Sequence, residues 1–306
     1  MKKRSRNAIA LLMSIVFVML IAVTIGIGLK SFYQAKQNIA EEKLLYQSDV
    51  LVSDVLKILK NTKEIDAIVK SKDGSALYGF ISSMQTVPIP FEGYDVFMSV
   101  QSARDRFNLN GLKKDQKHFD FKRIEILKSF FIKYGISDEL VALIMDSMGG
   151  EKLDRSYYSD LFETQKELFR DYLASYRHLE KILIFYEKKH HDNVFSKLEF
   201  DRMFSYNPNI GTRIDLNFAT QQTWELLTGC TKEQAQVLVA KAGMYKTLED
   251  ILLQPSMKER LKNFNISFFE PIITVNIKIK DQYTTGLITF EYDLRTKKAS
   301  HFVYKI

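Results

Sequence analysis

Residues 8–29 read AIALLMSIVFVMLIAVTIGIGL, and the basic residues Lys2, Lys3, Arg4 and Arg6 stand just before them. No charge interrupts this run; Ser14, Thr24, Gly26 and Gly28 are its only breaks. A helix needs about 20 such residues to cross the hydrocarbon of a bilayer, so the run predicts a membrane span. The preceding cations place the N-terminus in the cytoplasm and everything after Lys30 on the far side. No small-x-small cleavage site follows, and the run is longer than a secretory h-region. A retained anchor is therefore expected rather than a cleaved signal. Gly26 and Gly28 leave room for a neighbouring helix.

The helix has no reason to stop at the membrane surface. Neither Gly nor Pro occurs from Lys30 to Asp73. Ile39, Leu44, Leu45, Leu51, Val52, Val55, Leu56 and Leu59 form an apolar stripe near helical spacing. One helix from Ile9 to Lys60 would extend roughly 75 Å, apolar all round in its first half and amphipathic in its second. A tether to a soluble enzyme needs no such continuity, so the stripe formed by Leu44, Leu51, Val55 and Leu59 is expected to grip partner helices. Asn61, with Glu64 three residues later, reads as the cap of a new short helix.

Further along, Ala76 to Leu112 reads as irregular strands punctuated by Pro88, Pro90 and Gly93. From Lys113 to Leu253 the pattern is helical. Ser137 caps a helix ended by Gly149-Gly150. Residues 151–207, free of Gly and Pro apart from the turn that follows at Pro208, predict a long amphipathic helix carrying Leu161, Leu168, Leu173, Leu179, Leu183 and Tyr186. Thr220, Thr231 with Gln234, and Thr247 with Asp250 mark the starts of three short helices. The period then switches to two. Ile273, Val275, Ile277 and Ile279 form one alternating set, Ile288, Phe290, Tyr292 and Leu294 a second, and Phe302, Tyr304 and Ile306 a third. These predict three half-buried antiparallel strands. The order of elements is that of an α+β fold with an inserted α-helical module.

Composition narrows the chemistry. With 46% hydrophobic and 26% charged residues the chain is globular, not disordered. The net charge of +7 owes four positives to the segment before the span; beyond it 40 basic residues face 37 acidic ones. Overall charge therefore gives little support to nucleic-acid binding. Cys230, the single cysteine, excludes an intramolecular disulfide and multi-cysteine metal clusters. No GxSxG, HExxH, phosphate loop or Rossmann fingerprint occurs, so no enzyme is indicated. His190 and His191 follow Lys188 and Lys189 at a helix end, where cations suit the helix dipole. Trp224 to Val239 resembles a helix-hairpin-helix, but Thr231 stands where the second turn glycine belongs. Asp146, Glu151 and Asp154 flank Gly149-Gly150 and supply hard oxygens suited to calcium.

Several stretches together resemble one family, the minor pseudopilin K of type II secretion systems. Ile9-Ala10-Leu11-Leu12 resembles the start of its mature chain after a prepilin leader, with Ala8 in place of the leader glycine. Arg106-Phe107-Asn108-Leu109-Asn110 resembles the segment leading into its inserted helical domain. Ile214-Asp215-Leu216-Asn217-Phe218-Ala219-Thr220 and Tyr245-Lys246-Thr247-Leu248-Glu249-Asp250 resemble stretches that open and close its helix-hairpin-helix-like part. Two features depart from the family. Its Asp-Trp-x-Asp segment is reduced to Asp146-Ser147-Met148-Gly149, and its disulfide is impossible here.

The resemblance implies an inner-membrane subunit with its bulk in the periplasm, cleaved between Ala8 and Ile9 by prepilin peptidase and methylated. It implies other minor pseudopilins and the inner-membrane assembly platform as partners, and a place at the pseudopilus tip. Most pilins carry Glu at the fifth mature position. Here that position is Met13, or Leu12 if cleavage falls one residue earlier. A subunit with nobody above it needs no such charge. Five segments are expected: leader 1–8, span 9–29, amphipathic helix with the first sheet strands 30–112, helical module 113–253, and closing strands 254–306. A DNA-uptake or type IV pilus-like subunit and a signal-anchored periplasmic enzyme are the alternatives.

Overall fold

A single helix, α1 (Lys2–Asn61), opens the chain and runs about 90 Å at 1.5 Å per residue. The computed structural model describes residues 2–149, 161–281 and 284–305, with side chains from residue 17 onward. The helix ends where Thr62 turns extended and its hydroxyl donates to the Ile58 carbonyl, 2.7 Å away. Thr62, rather than Asn61, therefore stands at the cap of α2 (Lys63–Ser71), and its oxygen is spent on the helix behind it.

The next element corrects the expectation of strands from Ala76. Gly74–Ser83 forms a helix, α3, whose cap is Asp73 accepting from the Ser75 amide at 3.1 Å. Leu77, Phe80 and Ile81 fall on its buried side at helical spacing. Strands β1 (Val87–Phe91) and β2 (Tyr94–Ser102) then form a hairpin.

Between β2 and its other neighbour lies the whole helical module. Its elements are β3 (Phe107–Asn108), α4 (Phe121–Lys133), α5 (Glu139–Met148), α6 (Leu161–Thr164), α7 (Tyr176–His190), α8 (Phe200–Met203), β4 (Phe204–Ser205) and β5 (Ile214–Asp215). There follow α9 (Gln221–Thr228), α10 (Lys232–Ala240), α11 (Pro255–Leu261) and β6 (Ile266–Ser267). The chain re-enters the sheet as β7 (Ile272–Lys280), β8 (Thr285–Asp293) and β9 (Lys298–Lys305), and the sheet order is β1-β2-β7-β8-β9, all antiparallel. Two cores result. One packs α1 to α3 on the inner face of the sheet; the other fills the module from Phe107 to Phe264, wider at both ends than residues 113–253.

Inside the module the predicted long helix is not formed over the described residues 161–186. Helix α6 is one turn, and α7 begins only at Tyr176, capped by Ser175. The physical reason lies some sixty residues away in sequence. The Asn110 amide donates to the Leu173 carbonyl (2.9 Å) and accepts from the Leu173 amide (2.8 Å), while Lys113 Nζ donates to the Asp171 carbonyl. These side chains hold 171–173 in a conformation that a helix cannot share. The capping box of α10 is formed as predicted by Thr231 and Gln234. No helix starts at Thr247: Asp250 accepts from the Lys246 and Thr247 amides and makes a turn, and the next helix waits for Pro255 at its first position.

A second hook repeats the first. Asn217 Nδ2 donates to the Tyr245 and Phe268 carbonyls, and its Oδ1 accepts from the Tyr245 amide, each at 2.9 Å. Just as Asn110's amide bonds to the Asn108 side chain, that of Asn217 bonds to Asp215. Gly74 is needed beside this hook. A Cβ there would lie 2.5 Å from the Phe268 carbonyl oxygen and 2.8 Å from Asn217 Nδ2.

The three closing strands are antiparallel as expected, and Ile273, Val275, Ile277, Ile279, Ile288, Phe290, Tyr292 and Leu294 are buried. The third differs. Phe302 stacks on Phe290 with ring centroids 5.2 Å apart, yet Phe302 and Tyr304 remain 41% and 37% exposed. Strand β9 lies at the sheet's margin, and the register slips opposite Phe290, where His301 takes φ 55°. Ile306 lies outside the described residues.

Candidate functional site

Helix α1 divides into two physically different halves. Phe17, Val18, Met19, Leu20, Ile21, Val23, Ile25, Ile27 and Leu29 are all more than half exposed, and Leu44 is the first residue fully buried. An apolar helix wide open on every side is unstable in water and stable in hydrocarbon. Adding a Cβ at Gly26 or Gly28 would meet nothing within this chain. Ala8 and Ile9 fall within α1, ahead of the residues whose side chains are described.

The partner-gripping stripe is corrected by the structure. Leu44, Leu51, Val55 and Leu59 are buried against Val100, Ile277, Ile288 and their neighbours in the chain's own sheet. The cause is simple: a sheet with one apolar face must cover it, and α1 is the element available. What α1 leaves open to others is a set of residues outside that buried stripe: Ile39, Leu45, Tyr46 and Ile58 are exposed.

Where sheet and module meet, polar groups converge. The Asp215 carboxylate, fully buried, accepts from the Asn217 amide (3.0 Å) and the Glu270 amide (2.8 Å), while the Asp215 amide donates to the Arg104 carbonyl (2.7 Å). Burial pushes its pKa up to about 7, against the pull of those two amides, with nearby Glu270 adding to the rise. Arg104 in turn reaches Glu291 on β8 at 3.1 Å, and Arg213 and Arg295 flank Glu270. The sequence shows Asp215 as part of a motif but gives it no role, because two of its three partners, Arg104 and Glu270, come from distant segments.

A second buried carboxylate sits within the module. Glu225 accepts from Lys133 Nζ (2.6 Å) and the Tyr134 hydroxyl (2.8 Å). Burial alone would raise its pKa, but the hydrogen bonds and the ion pair outweigh it and hold it below the ordinary value. The cluster ties α9 to α4. Cys230 beside it is buried, and burial pushes its thiol up, away from the reactive thiolate. Among the described residues no three His, Cys, Asp or Glu side chains converge to hold a metal ion.

The other sequence candidates resolve individually. His190 stacks on Tyr186 (centroids 4.4 Å) and lies 2.9 Å from Glu139, and His191 takes the left-handed conformation that ends α7. The two therefore serve the helix end. Asp146 is buried and pairs with Arg170 at 2.6 Å, so a cation at this carboxylate must share or displace the guanidinium. Glu151 and Asp154 lie outside the described residues. In the α9–α10 hairpin the backbone donors that would hold a phosphate are spent internally. The Gly229 amide goes to the Glu225 carbonyl, Cys230 to the Thr228 hydroxyl and Thr231 to the Gln234 side chain.

No protein-family model and no curated protein sequence matches this chain. A solved structure does. A chain of the GspK-GspI-GspJ complex from the enterotoxigenic Escherichia coli Type 2 Secretion System superposes with a TM-score of 0.58 and 13% identity. The match covers 87% of this chain and 99% of that one. The long apolar helix, the antiparallel sheet and the inserted helices are thus those of a pilin-like α+β fold, shared with a chain of that complex along nearly its whole length.

Proposed function

We propose that this chain is a membrane-anchored minor pseudopilin that initiates and caps a short periplasmic pseudopilus for type II protein secretion. The observation that carries the reading is α1: one unbroken helix whose first half is apolar and unburied and whose second half forms the core beneath the sheet. Such a helix anchors the chain in the inner membrane before assembly and packs among other subunits' helices afterwards. In this reading prepilin peptidase cuts between Ala8 and Ile9, the inner-membrane platform lifts the mature chain, and other minor pseudopilins pack against it from below. The apolar fifth residue and the bulk of the helical module both suit a subunit with nothing above it. The role is structural, with no chemistry assigned to the Glu225 or Asp215 clusters.

The DNA-uptake alternative predicts a different phenotype, which makes it testable. Deleting the chain in its own host should abolish export of secreted proteins and leave DNA uptake unchanged. Lost uptake with intact export would overturn the proposal in favour of the uptake machine.

A further inference from the structure

The two edges of the sheet are not equivalent. Among the described residues strand β1 pairs only with β2, and Pro88 and Pro90, two residues apart, lie on it. Residues two apart on a strand aim their backbone groups to the same side, and a proline within a ladder is tolerated only where its missing N–H faces outward. The outer side of β1 has therefore lost its donors at both positions. Strand β9, Lys298–Lys305, contains no proline and, among the described residues, pairs only with β8. Half of its backbone groups face away from β8, where no strand of the described residues receives them.

The side chains around β9 form a shelf. Phe302 stacks on Phe290, and the Tyr304 hydroxyl donates to Asp49 on α1 at 3.0 Å. Leu45, one turn before Asp49, lies on the same side of α1 and is 48% exposed. Phe302 and Tyr304 are thus partly exposed on the strand, and Leu45 lies one helix turn from the Tyr304–Asp49 contact. The strand carries Lys298, His301 and Lys305 and no acidic residue. On the outer face of the sheet, Lys278 and Lys305 flank Leu287 in one cross-strand row.

Taking these together, we infer that β9 is the docking edge for one extended, acidic strand of a different pilin-like chain, which extends the sheet and covers Phe302, Tyr304 and Leu45. This rests on the proposed pseudopilin role and adds to it the surface used and the chemistry of the partner. A second copy of this chain is a poor occupant on two grounds. Antiparallel pairing of β9 with itself sets lysines against lysines, and pairing β9 of one copy with β1 of another meets the two prolines. The sheet can thus be extended on one side only, which stops a head-to-tail array of identical chains.

The test uses the full chain in detergent micelles, alone and co-expressed with the other pilin-like chains encoded beside it. Amide hydrogen exchange of β9 should slow about tenfold or more in the complex while β1 exchange is unchanged. Replacing Lys298 and Lys305 together by Glu, an exposed change that leaves the core intact, should weaken the complex about tenfold. A complex that forms with no added protection on β9 and no response to the charge reversal overturns the docking edge but leaves the pseudopilin reading standing. Protection of β9 that appears in the chain alone and grows with its concentration overturns the different-chain occupant. Absence of any complex with these chains overturns both.

Discussion

Replacing Asn217 by Ala isolates the hook that joins the helical module to the sheet. The side chain is fully buried and makes three hydrogen bonds: two donated to the Tyr245 and Phe268 carbonyls and one accepted from the Tyr245 amide. Alanine removes all three and strands a buried N–H, which has no second partner to turn to; the carbonyls lose less, having other lone-pair capacity. At about 1 kcal/mol for each net bond plus 1–3 kcal/mol for the orphaned donor, the loss is about 4–6 kcal/mol. For a domain of this size that lowers the melting temperature by about 10–20 °C. Asn217→Asp should cost at least as much, because its second oxygen would face two carbonyls. Asn110→Ala should match Asn217→Ala, since Asn110 grips Leu173 through the same donor and acceptor pattern. Thermal unfolding followed by circular dichroism gives the totals, and exchange of the Tyr245 amide gives the local effect. A loss below about 1 kcal/mol for both variants, with the Tyr245 amide still protected, would refute the reasoning.

Other outcomes follow from the same structure. Asp215 holds a proton more tightly folded than unfolded, so between about pH 4 and 7 the native state binds the extra proton and stability falls as pH rises, by up to about 1.4 kcal/mol per pH unit from this group. Asp215→Asn should flatten that slope in denaturant titrations, and an unchanged slope would remove Asp215 as its source. Leu51→Asp or Val55→Asp should unfold the sheet domain, by several kcal/mol for an unpaired buried charge, where a partner-facing stripe would leave the isolated chain's melting temperature intact. Co-expression with a prepilin peptidase should release eight residues and leave Ile9 N-terminal and methylated by mass spectrometry; Ala8→Gly should speed the cut and Ala8→Leu block it, and a chain that stays whole contradicts the processing step. A calcium site built on Asp146, Glu151 and Asp154 predicts a rise in melting temperature with calcium that alanine at all three abolishes; a rise that survives those changes excludes these residues.

What could be read from the residues is what depends on near neighbours. Helix α1, the α10 capping box and the alternation in β7 and β8 each follow from spacing within one segment, and each is present. The misreadings share a cause. Residues 161–186 have helical spacing throughout, but Asn110 and Lys113 reach in from outside and take the backbone that a helix would need. Gly74–Ser83 carries Tyr78, Phe80 and Ile81, which favour strands, yet Asp73 caps a helix there and packing beneath the sheet selects it. For the stripe on α1, spacing showed that it must be covered; only the topology shows that the chain covers it itself. The site's polar groups, Asp215 and Glu225, meet partners 55 and about 90 residues distant, beyond any local pattern.

The most direct measurement is native mass spectrometry of the full chain, extracted from membranes in which the neighbouring pilin-like chains are expressed with it, together with a DNA filter-binding assay. The account predicts one copy of this chain in a complex of fixed composition with those partners, no self-assembly, and DNA held no tighter than the roughly 10⁻⁴–10⁻⁶ M of general electrostatic binding. A chain that remains alone or forms a homo-oligomer while binding double-stranded DNA far more tightly would contradict it.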